Sequence, residues 1–191
     1  MTKAIIFDCF GVLYPVASDV FYQRNAEKFH YQTEGLDELN RQIDLGELNN
    51  LGFFDGIEQL TGMSHAEIHA EFETIKILDQ EVVTLIKQLK QRYQVALLSN
   101  AGEGELDCLE RDDIAKLFEV ITVSYQLGIV KPDTKIFQSC AESLGREPSE
   151  CLFIDDGLKN VEGARAAGMQ AVQYTGLSRL KADLEQLLGA V

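Results

Sequence analysis

Residues 4–15 read AIIFDCFGVLYP. The apolar run closing on Phe7 has the length of a buried strand, here taken as Lys3–Phe7. It stops at one acid, Asp8, and a turn-forming glycine follows at Gly11. The pattern returns along the chain. Gln94–Leu98, Val120–Val123, Cys151–Ile154 and Ala171–Tyr174 are short runs of the same kind. Between them lie stretches of helical spacing, at Glu81–Gln91, Asp133–Leu144, Val161–Ala167 and Leu177–Leu188, and a loop and helical stretch leads up to Leu117. Continuous apolar strands separated by helices imply a parallel sheet covered on both faces, the crossovers being helical. The expected class is α/β, a Rossmann-like doubly wound core.

One region breaks the alternation. From Pro15 to Leu78 the pattern is helical throughout, with Gly46, Gly52, Gly56 and Gly62 dividing it into short helices, and Ser64-His65-Ala66-Glu67 reads as a capping box. The expected organisation is a core of residues 1–14 and 79–191 with a small all-helical cap, residues 15–78, inserted after the first strand. It would emerge at the carboxyl end of that strand, where open parallel sheets bind ligands, and could act as a lid.

The 191 residues suffice for one domain with an insertion, and 46% hydrophobic residues can fill a core. A net charge of −14 argues against nucleic acid or an anionic membrane as partner. The leading apolar run is too short for a secretory signal, and no segment is long enough to span a bilayer. Four scattered cysteines, Cys9, Cys108, Cys140 and Cys151, form neither a disulfide framework nor a zinc pattern and suit a cytoplasmic location, as buried thiols.

Four spots fall at or just beyond the carboxyl ends of expected strands: Asp8, Ser99-Asn100, Lys131 and Asp155-Asp156. Singly, each is also what a turn or a helix cap looks like. Jointly, a parallel sheet brings them to one edge. Three carboxylates there repel one another and one lysine offsets only part of the charge, so a divalent cation with oxygen ligands, magnesium, is the natural complement.

The motifs IIFDCFGVLY, VALLSNAG, LGIVKPDTKIF and LFIDDGLKNVEGARAAGM stand in order along the chain. In them the sequence resembles the haloacid dehalogenase superfamily, which is mostly magnesium-dependent phosphatases, and within it the subfamily IA phosphatase-like branch with a small helical cap. The resemblance implies Asp8 as nucleophile, forming an aspartyl-phosphate. It implies Ser99, Asn100 and Lys131 as the phosphoryl-binding groups. Magnesium would be held by Asp8, Asp156 and the backbone carbonyl of Phe10, with Asp155 and Asn160 in support. The substrate class would be a small phosphorylated metabolite.

Phe10 departs from that pattern. Most phosphatases of the family carry there a second aspartate, which protonates the leaving oxygen and then deprotonates water. Such catalysis is worth roughly 10²–10⁴-fold, so its loss cripples transfer rather than abolishing it. Activity is then expected to favour leaving groups that depart readily as anions, or Asp155 or a cap residue supplies the proton. Two alternatives remain: a metal-independent 2-haloacid dehalogenase, since dehalogenases also carry an aromatic there but lack an acid pair like Asp155-Asp156, and a non-catalytic phospho-ligand or partner-binding module. His65 and His69 have a zinc-compatible spacing but no apparent third ligand and read as a solvated helix face. Phe21, Tyr22, Phe29 and Tyr31 read as cap core, and Arg24 and Arg41 as surface salt-bridge partners.

Overall fold

The computed structural model describes residues 1–189. Five parallel strands, β1 (Ala4–Phe7), β2 (Gln94–Ser99), β3 (Val120–Val123), β4 (Cys151–Asp155) and β5 (Gln170–Gln173), form one sheet in the order β3-β2-β1-β4-β5. The chain lays down the central strand first, builds outward on one side, then returns to build on the other. The strand order therefore reverses beside β1, and the crevice at its carboxyl end is the ligand position of an open α/β sheet.

Side-chain alternation along the strands produces two cores. Ile5, Phe7, Val95, Leu97, Leu152 and Ile154 point to one face, under α5 (Gln80–Leu89), α6 (Asp107–Arg111) and α10 (Leu177–Leu188). Ala4, Ile6, Ala96, Leu98, Cys151 and Phe153 point to the other, under α8 (Thr134–Ser143) and α9 (Leu158–Ala166). Ile5, Ile6 and Phe7 are fully buried, each worth ~1.5–3 kcal/mol relative to exposure. The doubly wound α/β class expected from the sequence is the fold observed. Most element boundaries shift by a residue or two, and two of the differences bear on the site. β4 runs on to Asp155, which therefore ends the strand rather than following it, and α9 starts at Leu158, three residues before the first apolar position of its pattern.

Between β1 and α5 lie α1 (Ala17–Asn25), α2 (Glu34–Asp44), α3 (Asn50–Thr61) and α4 (His65–Ile75). They pack on a third apolar cluster, separate from both faces of the sheet, in which Phe21 stacks on Phe72 at 4.7 Å. The Asp79 N–H donates to the Leu13 carbonyl at 2.9 Å, tying the exit of this segment to its entrance. The capping box at Ser64 and Glu67 forms as read. Gly62 ends α3 in the left-handed conformation. Gly52 and Gly56, expected to break helices, lie inside α3 instead. A Cβ at Gly56 would overlap the end of Leu39, so this glycine lets α3 approach α2 closely. Tyr31, expected in the apolar cluster, is 72% exposed.

The four cysteines are free and buried, and no helix among the described residues is long and apolar enough to cross a membrane. Arg41 pairs with Glu38 and Glu47 on the surface, while Arg24 donates to the Thr74 hydroxyl rather than to a carboxylate.

Candidate active site

Register carries Asp8 to its place. Phe7 lies opposite Leu97 on one side and Ile154 on the other, and the Asp8 N–H donates to the Ile154 carbonyl at 2.8 Å. The next residues of β1 and β4, Asp8 and Asp155, thus stand side by side at the sheet edge. The loop joining the short helix α7 (Ser124–Leu127) to α8 brings Lys131 between them. Its ammonium is 2.7 Å from Asp8 Oδ1 and 2.7 Å from Asp155 Oδ2, and all three side chains are at most 6% exposed.

The loop bearing Lys131 is fixed from two sides. The Asn100 side chain accepts from the Lys131 N–H at 2.8 Å and donates to its carbonyl at 3.1 Å. Gly163 of α9 faces Pro132 so closely that a Cβ there would sit 2.5 Å from the Pro132 carbonyl oxygen. Asp155 accepts from Lys131, from the Gly157 N–H at 2.7 Å and from Asn160 Nδ2 at 3.0 and 3.1 Å. Its oxygens are saturated, so its part in this arrangement is to hold the lysine.

Asp156 follows β4 and is half-buried; its carboxyl group lies against Gly11, where any Cβ would overlap it. Gly11 is also in the left-handed region, at φ 91°. The oxygens of Asp8, Asp155 and Asp156 gather within 4.8 Å of one another. Burial raises the Asp8 carboxyl well above the carboxylate range, Lys131 opposing and Asp155 adding to the rise. Burial and then the Asp155 charge raise Asp156 too. Burial alone would lower Lys131, but Asp8 and Asp155 outweigh it and raise it. A cluster in which anions strain to be neutralised, and in which one ammonium is already shared by two carboxylates, has the electrostatics of a hard-cation site. The Phe10 carbonyl accepts from no backbone N–H among the described residues, leaving it free to be a further oxygen ligand.

The site opens into a cavity of about 230 Å³. Asp8, Lys131, Asp156, Asn100 and Asn160 line it from the sheet edge. Ser99 is fully buried, its hydroxyl donates to the Asn100 carbonyl at 3.3 Å, and it is not on the cavity wall, although its neighbour Asn100 is. Phe10 lines the cavity and takes the ammonium of Lys76 at 5.9 Å from its ring. The facing wall comes from the helical segment: Asp44, Phe53, Phe72 and Lys76. None of these four was singled out in the sequence, for they belong to no motif. His65 Nε2 lies 3.0 Å from Asp55 and 3.3 Å from Glu58, partners contributed by α3 that spacing within α4 cannot reveal.

A sequence model of the haloacid dehalogenase-like hydrolase family matches residues 2–168. A phosphatase of Mycobacterium tuberculosis is 30% identical over 154 residues, 77% of this chain and 64% of that protein. The (S)-2-haloacid dehalogenase 4A of Burkholderia cepacia is 25% identical over 191 residues, 90% of this chain and 82% of that protein. Overlap with relatives is uneven: the chain spans 64% of the mycobacterial protein and 10% of acyl-CoA dehydrogenase family member 10 of Mus musculus. Among solved structures, a HAD family enzyme of Bacteroides thetaiotaomicron superposes with a TM-score of 0.77 at 25% identity, covering 97% of this chain and 98% of that one. The same enzyme has been crystallised with magnesium and inorganic phosphate.

Proposed function

This chain belongs to the haloacid dehalogenase-like hydrolases, and on that premise we propose that it is a magnesium-dependent phosphatase of small phosphorylated metabolites, working through Asp8. The observation that carries the reading is the gathering of three carboxylates within 4.8 Å around a buried lysine at the carboxyl edge of the sheet. Phosphoryl transfer asks a protein chiefly for positioning and for charge to balance the equatorial oxygens, and this arrangement supplies both.

In the proposed mechanism Asp8 Oδ attacks phosphorus, with the bond to the leaving oxygen breaking opposite. The Cys9 N–H, donating to Asp8 Oδ1 at 2.7 Å, and Lys131 hold the nucleophile in one orientation. Water then attacks the aspartyl-phosphate and frees inorganic phosphate. Magnesium, held by Asp8, Asp156 and the Phe10 carbonyl, would neutralise charge on the phosphoryl oxygens. Asp155 fixes Lys131, and Asn160 fixes Asp155. Asn100 has its side chain engaged by the Lys131 backbone, so its contribution to phosphoryl binding comes from the main chain beside Ser99. Residues 15–78 form the cap, and its aromatic wall of Phe53 and Phe72 meets the organic part of the substrate.

Phe10 alone would suit a haloacid dehalogenase, because halide leaves without a proton. The half-buried Asp156 weighs against that reading: without a cation, a second carboxylate beside the nucleophile repels a carboxylate substrate. The test is a hydrolysis panel of acyl, anomeric, aryl and alkyl phosphates plus 2-haloacids, with and without magnesium, using Asp8→Asn as control. Magnesium-dependent release of phosphate that Asp8→Asn abolishes is expected. Release of halide independent of magnesium, or phosphate release unaffected by Asp8→Asn, overturns the reading.

A further inference from the structure

Phe10 leaves the reaction without a group to protonate the leaving oxygen, and the cavity wall holds four carboxylates from which a substitute could come: Asp8, Asp156, Glu105 and Asp44. Asp8 is occupied as nucleophile, and Asp156 sits beside it against Gly11. Glu105 accepts from the Gly102 N–H at 2.6 Å, which ties its carboxylate to the loop after β2. Asp155, the other acid of the pair, is off the wall with its oxygens saturated. Lys76 reaches the cavity, but an ammonium has no lone pair with which to take a proton from water. Asp44 remains. Its carboxyl makes no hydrogen bond or ion pair among the described residues.

Resting on the phosphatase reading above, we propose that Asp44, at the end of α2 in the helical segment, is the proton donor and acceptor that Phe10 cannot be. In the first half-reaction Asp8 forms its bond to phosphorus, the bond from phosphorus to the ester oxygen breaks, and that oxygen takes the Asp44 proton to leave as an alcohol. In the second, the Asp44 carboxylate takes a proton from the attacking water. The bond between phosphorus and Asp8 breaks, releasing inorganic phosphate and restoring Asp44 to its protonated form.

Three contacts hold the end of α2, and with it the Asp44 backbone, against the segments that follow β2 and β3, as the role requires. The Ser124 hydroxyl donates to the Asp44 carbonyl at 2.6 Å. Ile43 packs on Gly102, where a Cβ would overlap it. Gly46 passes the Tyr125 carbonyl so closely that a Cβ would sit 2.9 Å from its oxygen. Glu105 from the loop after β2 and Lys131 from the loop before α8 act on the carboxyl, and Lys76 after α4 and Asp8 and Asp156 at the strand ends line the same cavity. Burial and the Glu105 charge push the carboxyl up to about 7, with Lys131 pulling the other way. A group titrating there can give a proton and then take one near neutral pH.

The test compares kcat/KM for an alkyl phosphate and for acetyl phosphate in saturating magnesium, for the wild type and Asp44→Asn. This parameter covers transfer to Asp8 but not the later attack of water. Asp44→Asn is expected to lower the alkyl value by about 10²-fold or more and the acetyl value less than about 3-fold. In the wild type, the alkyl profile should fall on the basic side near neutral pH and the acetyl profile should not, a readout that needs no variant. Equal losses on both substrates, or identical wild-type profiles, overturn the proposal and leave the phosphatase reading standing. Absence of any Asp8-dependent turnover overturns both.

Discussion

Replacing Lys131 by Met removes the ammonium while keeping most of the side chain's volume. Asp8 Oδ1 and Asp155 Oδ2, each 2.7 Å from that ammonium in the native protein, are then left facing one another in a buried setting. Breaking a buried ion pair from one side costs about 3–5 kcal/mol, because the remaining charge is uncompensated. A protein of this size has roughly 5–15 kcal/mol in hand, so the variant should still fold. With a urea slope near 2 kcal/mol/M, the unfolding midpoint should drop by roughly 1.5–2.5 M at pH 8. The loss must depend on pH. Burial already raises the Asp8 carboxyl and Lys131 opposes that rise, so without the lysine its folded-state pKa stands further above the unfolded one, and the penalty is absent at low pH and complete above the folded value. Urea titrations of both proteins in EDTA at pH 5 and pH 8 should therefore give a small difference at the lower pH and a large one at the higher. A midpoint shift below about 0.5 M at pH 8, or one of equal size at both pH values, would refute the reasoning.

Two further substitutions probe what holds the site. Gly163→Ala places a methyl group 2.5 Å from the Pro132 carbonyl oxygen, so the backbone carrying Lys131 must shift. A stability loss of about 1–3 kcal/mol by thermal melting is expected, with a larger proportional loss of phosphate release than of fold; unchanged turnover would show that this glycine does not set the lysine's position. Asp44, pushed up to about 7 from an ordinary 3.8, stabilises the folded state fully below the unfolded value, and that contribution is lost as pH rises through the folded one. That rise corresponds to at most about 4 kcal/mol, less where water reaches the group. Asp44→Asn should flatten the wild type's fall in stability between pH 4 and pH 8, read by guanidinium unfolding, and equal slopes would count against it.

The sheet was legible because its strands are buried on both faces and so appear as unbroken apolar runs, and because Asp8 and the Asp155-Asp156 pair come directly after such runs. Asp8, Lys131, Asp155 and Asp156 come together as the parallel arrangement requires. What sequence could not supply was the finer division of labour. That Asp155 spends its oxygens on Lys131, Gly157 and Asn160, and that the Asn100 side chain faces a backbone, depends on ångström-scale directions. The opposite wall was less legible still. Asp44, Phe53, Phe72 and Lys76 are separated by ordinary helical spacing and meet only because α2, α3 and α4 fold over the sheet edge. Gly56 misled for the same reason, since a helix breaker and a helix contact look alike in one dimension. Tyr31 misled through composition, an aromatic beside aromatics that the backbone turns outward at φ 58°.

The order in which the strands are laid down also bears on how the protein is made. Ala4 finds its neighbours at Gln94 and Cys151, so the first of these five strands to leave the ribosome sits in the middle of the finished sheet without a partner for some ninety residues. At roughly 5–20 residues per second, that strand waits on the order of 5–20 s as a bare hydrophobic edge. The helices that follow it carry their own apolar cluster and can condense in the meantime, shielding the emerging chain while the neighbours of Asp8 are still being synthesised.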